Sequence, residues 1–252
     1  MIGAFIVVRL SSSRLPQKAL MRISGKHMIE HMVERVRASR MIDKVVITTS
    51  TEASDDPLEE LANKLNVECY RGSLENVMER VSRASQVQDC STIIELLGDN
   101  PLVHCDLIDD VIRLYIDGKY DYTTTVTNEY PIAKTNHGIK LFSLGVRVQI
   151  YSREAAEKYV DYPEYVNNED KGTTAYIYEH PEFFKLGYIE AKGKWSFMNK
   201  PDLTFAVNYQ KNFDLVQTLF EKQYPLDSNF SLERVYEQLD EEKHLYQLMG
   251  NE

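Results

Sequence analysis

The feature of this sequence that most constrains its fold is the regular alternation of short apolar runs with amphipathic segments over the first 115 residues. Four runs rich in apolar residues are typical of buried strands and lie at residues 2–8, 45–49, 67–70 and 92–97. Apolar residues recur at helical spacing between and after these runs, over residues 25–40, 55–65, 74–85 and 106–115. Strands that alternate with helices predict an α/β fold with a doubly wound, mostly parallel sheet.

The pattern is less regular in the second half of the chain. We expect three further strands there, at residues 122–126, 146–151 and 203–207. We expect four further helices, at residues 153–159, 174–180, 212–222 and 231–239. Because no linker, repeat or low-complexity tract interrupts the sequence, we predict a single domain over residues 1–252, with a lid or dimerisation excursion at about 120–200.

A loop rich in serine and basic residues follows the first apolar run, at the strand end where an open α/β sheet binds its ligands. Hydroxyls, closely spaced backbone N–H groups and positive charge suit a triphosphate, and Pro16 stiffens the loop because its ring fixes φ. The loop matches neither the GxGxxG nor the Walker pattern, and the alternative is a basic surface loop. We predict a phosphate cradle formed by Arg9, Leu10, Ser11, Ser12, Ser13, Arg14 and Lys18.

The distribution of charge also indicates a small polyanionic ligand. The net charge of −10 argues against a nucleic acid or an anionic membrane as partner. Residues 1–50 nevertheless carry +6, so the remaining residues carry −16. Positive charge is therefore concentrated around the predicted cradle, as expected for a cleft that binds a small polyanion.

The cysteines and the hydropathy indicate the cellular compartment of the protein. The three cysteines lack CxxC or Cys/His ligand spacing, which predicts reduced thiols and neither disulfides nor structural zinc. No apolar run reaches the roughly 18 residues of a membrane span, and the N-terminus is unlike a secretory leader. We therefore expect a cytoplasmic protein.

The apolar run at residues 92–97 ends in a Gly98-Asp99 pair followed by Asn100-Pro101-Leu102. A carboxylate at the carboxyl end of a strand can hold Mg²⁺ against a triphosphate, and a neighbouring glycine allows close approach. We therefore predict that Asp99 binds the metal and that Gly98 lies beside the nucleotide. Alternatively, Asp99 only shapes the turn before Pro101.

The cradle and this second segment resemble a known family. The arrangement of Arg9, Ser12, Arg14, Pro16 and Lys18 is similar to the signature of the cytidylyltransferases that make CMP-activated sugar acids, and closest to their SpsF-like branch. That branch usually has glycine at the position of Gln17, and it shares the Gly-Asp-x-Pro-Leu pattern. The resemblance is good over residues 4–115 and weak beyond them. It implies a Rossmann-like nucleotidyltransferase fold, Mg²⁺ as cofactor and a homodimer.

The resemblance also assigns individual roles. It makes Arg14, Lys18 and Asp99 the catalytic residues, which hold the phosphates and the metal. The run Arg71-Gly72-Ser73 is similar to the Arg-Gly-Ser segment that lies beside the nucleobase in the family. Arg71, Gly72 and Ser73 are therefore expected to recognise cytosine, although Ser73 could equally cap the following helix.

The sequence departs from the family pattern in its C-terminal half. The resemblance implies a second metal carboxylate after a strand that ends in Val-Asp, but the matching run here ends in Val207-Asn208. Asn208 can offer the metal only a neutral amide oxygen. Gln149 likewise stands where relatives commonly have Glu, so we expect the acceptor pocket to be altered.

We hypothesise that the chain is a CTP-dependent cytidylyltransferase of polysaccharide biosynthesis. It would transfer CMP from CTP to an acidic sugar or a related anionic acceptor and release pyrophosphate. A nucleotide-sugar glycosyltransferase is one alternative, but the sequence after Asp99 lacks the Asp-x-Asp pair that such enzymes commonly need. A non-catalytic nucleotide-binding relative is another, which the neutral side chain of Asn208 suggests.

Overall fold

The fold is built around one sheet of seven strands. A computed structural model describes residues 1–160 and 173–249. In chain order its strands are β1 (Ile2–Val7), β2 (Arg22–Ile23), β3 (Lys26–His27), β4 (Lys44–Ser50), β5 (Glu68–Gly72), β6 (Thr92–Leu97), β7 (Tyr122–Thr125), β8 (Gln149–Ser152) and β9 (Leu186–Ile189). The main sheet has the order β5-β4-β1-β6-β8-β7-β9, and β2 pairs with β3 in a separate hairpin. Strand β8 runs antiparallel to β6 and β7, whereas the other pairings of the main sheet are parallel.

Helices cover both faces of the sheet. They are α1 (Met28–Arg37), α2 (Asp56–Leu65), α3 (Val77–Val87), α4 (Cys105–Gly118), α5 (Pro131–Thr135), α6 (Arg153–Val160), α7 (Ala175–Glu179), α8 (Gln210–Gln223) and α9 (Leu232–Glu241). Helices α1, α2, α4, α8 and α9 pack on one face, and α3, α6 and α7 pack on the other. The predicted doubly wound, mostly parallel α/β fold is therefore confirmed.

The two apolar cores follow from the alternation of side chains along each strand. In β1, Ala4 and Ile6 face the α1 side of the sheet and Phe5 faces the α3 side, and all three are fully buried. Strands β1, β4 and β6 are parallel neighbours, so their carboxyl ends lie at one edge. The loops that follow these strands therefore meet, and this meeting point positions the candidate site.

Two expectations about the secondary structure are wrong, and one strand was not expected. Residues 203–207 do not form a strand, because only an isolated bridge joins Leu144 to Thr204. Helix α1 begins at Met28 rather than at Gly25, since residues 22–27 form a hairpin whose turn holds Ser24 and Gly25 at positive φ. Strand β9 was not expected, because Leu186–Ile189 is short and contains a glycine.

Residues 120–200 contribute to the same sheet as the N-terminal half. Strands β7, β8 and β9 extend it beyond β6. The single domain and the lid or dimerisation role of this region stay predictions, and residues 161–172 lie outside the described part of the chain. Within the described residues, none of the helices combines the length and the apolar character that a bilayer crossing requires.

Candidate active site

A cleft of about 380 Å³ lies at the carboxyl ends of β1 and β6. The basic loop after β1 and the Gly98-Asp99 pair after β6 line the same cavity. The predicted site residues that line it are Arg9, Ser12, Ser13, Arg14, Lys18, Gly98 and Asp99. Leu10 instead points into the apolar core, where it is 4% exposed, and Ser11 is exposed outside the lining.

Lys18 joins the basic loop to the far side of the cleft. Its ammonium nitrogen donates to Asp99 Oδ2 at 3.0 Å and to the Val207 carbonyl oxygen at 2.7 Å. The Arg14 guanidinium lies 5.9 Å from the centre of the Tyr209 ring, within the range of a cation–π contact. Although residues 203–207 form no strand, the C-terminal segment thus reaches the cradle.

Two buried oxygen atoms on neighbouring backbone segments have the properties of metal ligands. Within residues 1–160 and 173–249, Asp99 Oδ1 and Asn208 Oδ1 have no hydrogen-bond partner. The Val207 N–H donates to the Asp99 carbonyl oxygen at 2.9 Å, which holds the two backbone segments together. Because an orphaned buried oxygen is costly and Mg²⁺ prefers oxygen ligands, these residues fit a magnesium ion.

A second cluster of metal-type ligands is explained without a metal. His104, Cys105 and Asp106 lie close together at the start of α4. The Asp106 N–H donates to His104 Nδ1 at 3.2 Å, and His104 Nε2 lies 3.2 Å from the Asn229 carbonyl oxygen. Both ring nitrogens of His104 are therefore occupied in capping α4 and fastening it to a neighbouring loop.

A buried carboxylate anchors the start of the basic loop. Asp55 is fully buried and accepts hydrogen bonds from the Leu10 N–H at 2.8 Å and from the Thr49 hydroxyl at 2.8 Å. It also accepts from the hydroxyl and the N–H of Ser50. Burial alone would raise the pKa of Asp55, but the hydrogen bonds from Ser50, Leu10 and Thr49 outweigh it and lower the pKa. Asp55 thus fixes the loop after β1 to the end of β4.

Gly98 is required by close packing at the end of β6. A Cβ atom at this position would lie 2.7 Å from Val8 Cβ and 3.0 Å from the Val7 carbonyl oxygen. Any side chain would therefore push β6 away from β1 at the cleft. Gly98 keeps Asp99 close to the basic loop.

The Arg71-Gly72-Ser73 segment lies outside the cleft, where contacts with the base were expected. The Arg71 guanidinium forms ion pairs with Asp56 at 2.7 Å and Glu59 at 3.0 Å and donates to backbone carbonyls after β4. None of Arg71, Gly72 and Ser73 is among the residues that line the cleft. Ser73 Oγ accepts from the Asn76 N–H at 2.9 Å, one turn before α3 begins at Val77. Recognition of cytosine by these three residues stays a prediction.

Arg80 is a cleft residue that the sequence reasoning missed. It lines the cavity, is 2% exposed and belongs to the buried face of α3, between Val77 and Ala84. Burial lowers its pKa to about 10, against the influence of Asp55 and Glu95, so Arg80 stays charged at neutral pH. A charged residue on the apolar stripe of a predicted helix was the available signal.

Gln149 lies in a buried polar network rather than at the cleft surface. Its amide oxygen accepts from the Tyr122 hydroxyl at 2.7 Å and the Tyr130 hydroxyl at 3.2 Å. Its amide nitrogen lies 3.4 Å from Glu95 Oε1, and Thr173, which lines the cleft, donates to the same carboxylate. Gln149 is thus connected to the cavity through Glu95 and Thr173.

The sheet and the cleft together define an α/β protein with a basic cleft at the carboxyl ends of parallel strands, where such folds bind their ligands. A family model described as cytidylyltransferase matches residues 4–249. This chain belongs to the cytidylyltransferase family, whose members are CTP-dependent nucleotidyltransferases. The resemblance seen in the sequence is therefore confirmed, and the family favours nucleotidyl transfer over the glycosyltransferase alternative.

Individual relatives agree with this assignment. The chain is 28% identical to the spore coat polysaccharide biosynthesis protein SpsF of Bacillus subtilis over 221 residues, which cover 86% of this chain and 85% of the relative. It is 28% identical over 201 residues to 3-deoxy-manno-octulosonate cytidylyltransferase 2 of Hydrogenovibrio crunogenus, covering 74% and 79%. The fold is similar to that of a cytidylyltransferase from Leptospira borgpetersenii, with a TM-score of 0.83, 22% identity and coverage of 98% and 96%.

Proposed function

We propose that this cytidylyltransferase transfers CMP from CTP to an acidic sugar, with Mg²⁺ as cofactor, in polysaccharide biosynthesis. The observation that carries the proposal is the contact between Lys18 of the basic loop and Asp99 at the end of β6, both of which line the cleft. The backbone of Val207, next to Asn208, is hydrogen-bonded to both residues. The names of the relatives, one a polysaccharide biosynthesis protein and one a cytidylyltransferase for a sugar acid, support the acceptor class. A homodimer is part of the same proposal.

The proposed reaction is a displacement at the α-phosphorus of CTP. The acceptor hydroxyl oxygen forms a bond to the α-phosphorus, the bond from the α-phosphorus to the bridging oxygen breaks, and pyrophosphate leaves. The hydroxyl proton passes to solvent. Because no covalent enzyme intermediate is required, the protein contributes mainly by positioning the reactants and stabilising charge.

The predicted site residues have separate roles in this reaction. Arg14 and Lys18 hold the β- and γ-phosphates and stabilise the charge on the leaving pyrophosphate. Arg9 and the serines of the loop shape the cradle around the triphosphate. Asp99 and Asn208 would hold Mg²⁺, which would supply charge stabilisation to the phosphates.

The test is pyrophosphate release from CTP, Mg²⁺ and a panel of acceptors. The panel contains 3-deoxy-2-keto sugar acids, other acidic sugars, and phosphorylated and phosphonate compounds. We expect release with CTP and an acidic sugar, at a much lower rate when UTP, ATP or GTP replaces CTP. Lys18→Ala should lower the rate at least about tenfold, because a charge-assisted hydrogen bond is worth roughly 1.5–3 kcal/mol. CTP binding without release with any acceptor would instead favour a non-catalytic relative.

A further inference from the structure

One hydrogen-bond donor of Arg80 has no partner in the described part of the chain. The Nη1 atom donates to the Ser73 carbonyl oxygen at 2.8 Å, whereas the buried Nε atom has no acceptor among the described residues. Among the described residues, none of the carboxylates forms an ion pair with it. A buried guanidinium with an unmet donor at the wall of a cleft is costly, and a ligand that accepts hydrogen bonds would relieve the cost.

The segment before α3 is shaped to hold this side chain. A Cβ atom on Gly72 would lie 2.9 Å from Arg80 Cγ, so only glycine leaves room for Arg80 against the end of β5. The Ser73 carbonyl oxygen fixes one nitrogen of the guanidinium. Arg71 ties the end of β5 to Asp56 and Glu59 of α2. The three residues thus support Arg80 instead of lining the cleft themselves.

The side of the cleft formed by α3 differs from the phosphate side. Around Arg80 the lining includes the apolar side chains of Leu74, Val77 and Met78, together with the polar residues Glu75 and Asn76. The other cations of the cleft, including Arg14 and Lys18, belong to the basic loop after β1. A polyphosphate requires several donors, as that loop provides. Apolar side chains beside a buried donor-only group are suited to a flat ring with an acceptor edge.

We infer that Arg80 recognises the acceptor edge of the cytosine ring, and that Arg71, Gly72 and Ser73 act by holding Arg80 in place. The inference rests on the proposed use of CTP. Cytosine presents its O2 and N3 atoms as neighbouring acceptors, which a guanidinium can bind together. In uracil, N3 carries a hydrogen and is a donor, so it cannot accept a hydrogen bond from the guanidinium. Arg80 would therefore favour CTP over UTP.

The experiment is equilibrium binding of CTP, UTP and inorganic tripolyphosphate, each with Mg²⁺ and without an acceptor. We compare the wild type with Arg80→Met and with Arg83→Met, which changes an exposed arginine one turn later on α3. Arg80→Met should weaken CTP binding about tenfold or more and narrow the CTP-to-UTP ratio, while tripolyphosphate binding stays unchanged. Arg83→Met should behave like the wild type.

A second variant keeps Arg80 but changes the packing that positions its side chain. Gly72→Ala should displace Arg80 and reduce the CTP-to-UTP ratio in the same direction, again without affecting tripolyphosphate. Thermal melting of each variant shows whether it is folded under the binding conditions.

The other outcomes are distinct. Equal weakening of CTP and tripolyphosphate by Arg80→Met would make Arg80 a phosphate ligand and overturn the inference. Unchanged binding of all three would overturn it too, and would leave the acceptor carboxylate as the partner of Arg80. A wild type that binds UTP, ATP and GTP as well as CTP, or binds none of them, would contradict the proposed function itself.

Discussion

A single backbone angle shows how the basic loop is constrained. Gln17 has φ of +56°, in the left-handed region where residues with a Cβ are disfavoured. Its N–H donates to the Leu10 carbonyl oxygen at 3.0 Å, and its own carbonyl accepts from the Leu20 N–H at 2.8 Å. These bonds close the loop and set the direction of Lys18. The glycine that the family usually has at this position is thus explained by geometry.

Replacing Gln17 with glycine should stabilise the protein. The left-handed conformation costs a non-glycine residue about 1–2 kcal/mol, and glycine loses about 0.5–1 kcal/mol through its greater freedom in the unfolded chain. We expect a net gain of about 0.5–1 kcal/mol in the free energy of unfolding, measured by urea denaturation. The same change in the middle of α8, Gln217→Gly, should instead destabilise by about 1 kcal/mol. Two changes of the same sign would contradict the argument.

In the proposed metal site, Asn208 is a neutral ligand. Among the described residues, neither Asn208 Oδ1 nor Asp99 Oδ1 has a hydrogen-bond partner, and both atoms are buried. An added carboxylate at residue 208 should bind Mg²⁺ more tightly, so Asn208→Asp should lower the Mg²⁺ concentration that gives half-maximal CTP binding. Asp202→Asn, at an exposed position, serves as the control. An unaltered Mg²⁺ dependence in Asn208→Asp would place residue 208 outside the metal site.

At the scale of elements, the loops after β1 and β4 are one unit because Asp55 joins them. Asp55 follows β4, and its carboxylate accepts the Leu10 N–H of the loop after β1 and groups of Thr49 and Ser50 at the end of β4. An amide at this position would present an NH₂ group to donors. Asp55→Asn should therefore cost about 3 kcal/mol at pH 7 and weaken CTP binding through the displaced loop.

The pH dependence of this effect has a definite sign. The pKa of Asp55 is lower in the folded protein than in the unfolded chain, where an aspartate has a pKa of about 3.9. The ionised Asp55 carboxylate therefore makes its full contribution to the free energy of unfolding above the unfolded-chain pKa. This contribution is lost as the pH falls through the pKa in the folded protein. The difference in unfolding free energy between the wild type and Asp55→Asn should be constant from pH 7 to 5 and shrink below about pH 4. A difference that grows in acid would contradict the prediction.

The elements differ in how far the sequence predicted them. Strands β1, β4 and β6 were predictable because their buried β-branched runs are read without tertiary information. The segment 203–207 has a similar pattern, but its apolar residues pack into the core as irregular chain beside Gly145. Gly145 has φ of +87°, and a Cβ atom on it would lie 2.2 Å from the Ala206 nitrogen. Such a contact between distant residues has no local signature.

The candidate site was predictable only where local sequence patterns determine it. Positions on the basic loop and at the end of β6 follow from local motifs, and those residues line one cleft except for Leu10 and Ser11. The direction of Arg71 depends on Asp56 and Glu59 in another element, and the seat of Arg80 depends on Gly72. Those contacts cannot be read from a motif, so the sequence identified the segment but not the side chain that reaches the cavity.

At the scale of the whole molecule, the ligand is an anion although the protein is acidic. The net charge of −10 repels CTP at long range, whereas the loop after β1, the proposed triphosphate cradle, would attract it within the cleft. Salt screens both effects over a Debye length of about 10 Å at 0.1 M. Since the cations are close to the ligand and most acidic groups are far from it, the attraction dominates and CTP affinity should fall as salt increases.

Arg9 allows this balance to be measured. It is exposed and lines the cleft, so Arg9→Gln should weaken CTP binding most at low ionic strength and flatten its dependence on salt. Arg40 is also exposed but follows α1, near the opposite edge of the sheet, about 20 Å away along a six-residue strand. Arg40→Gln should leave the slope unchanged, although it alters the net charge by the same amount. Equal flattening in both variants, measured as the CTP dissociation constant against KCl concentration, would show that net charge rather than the local cleft sets the affinity.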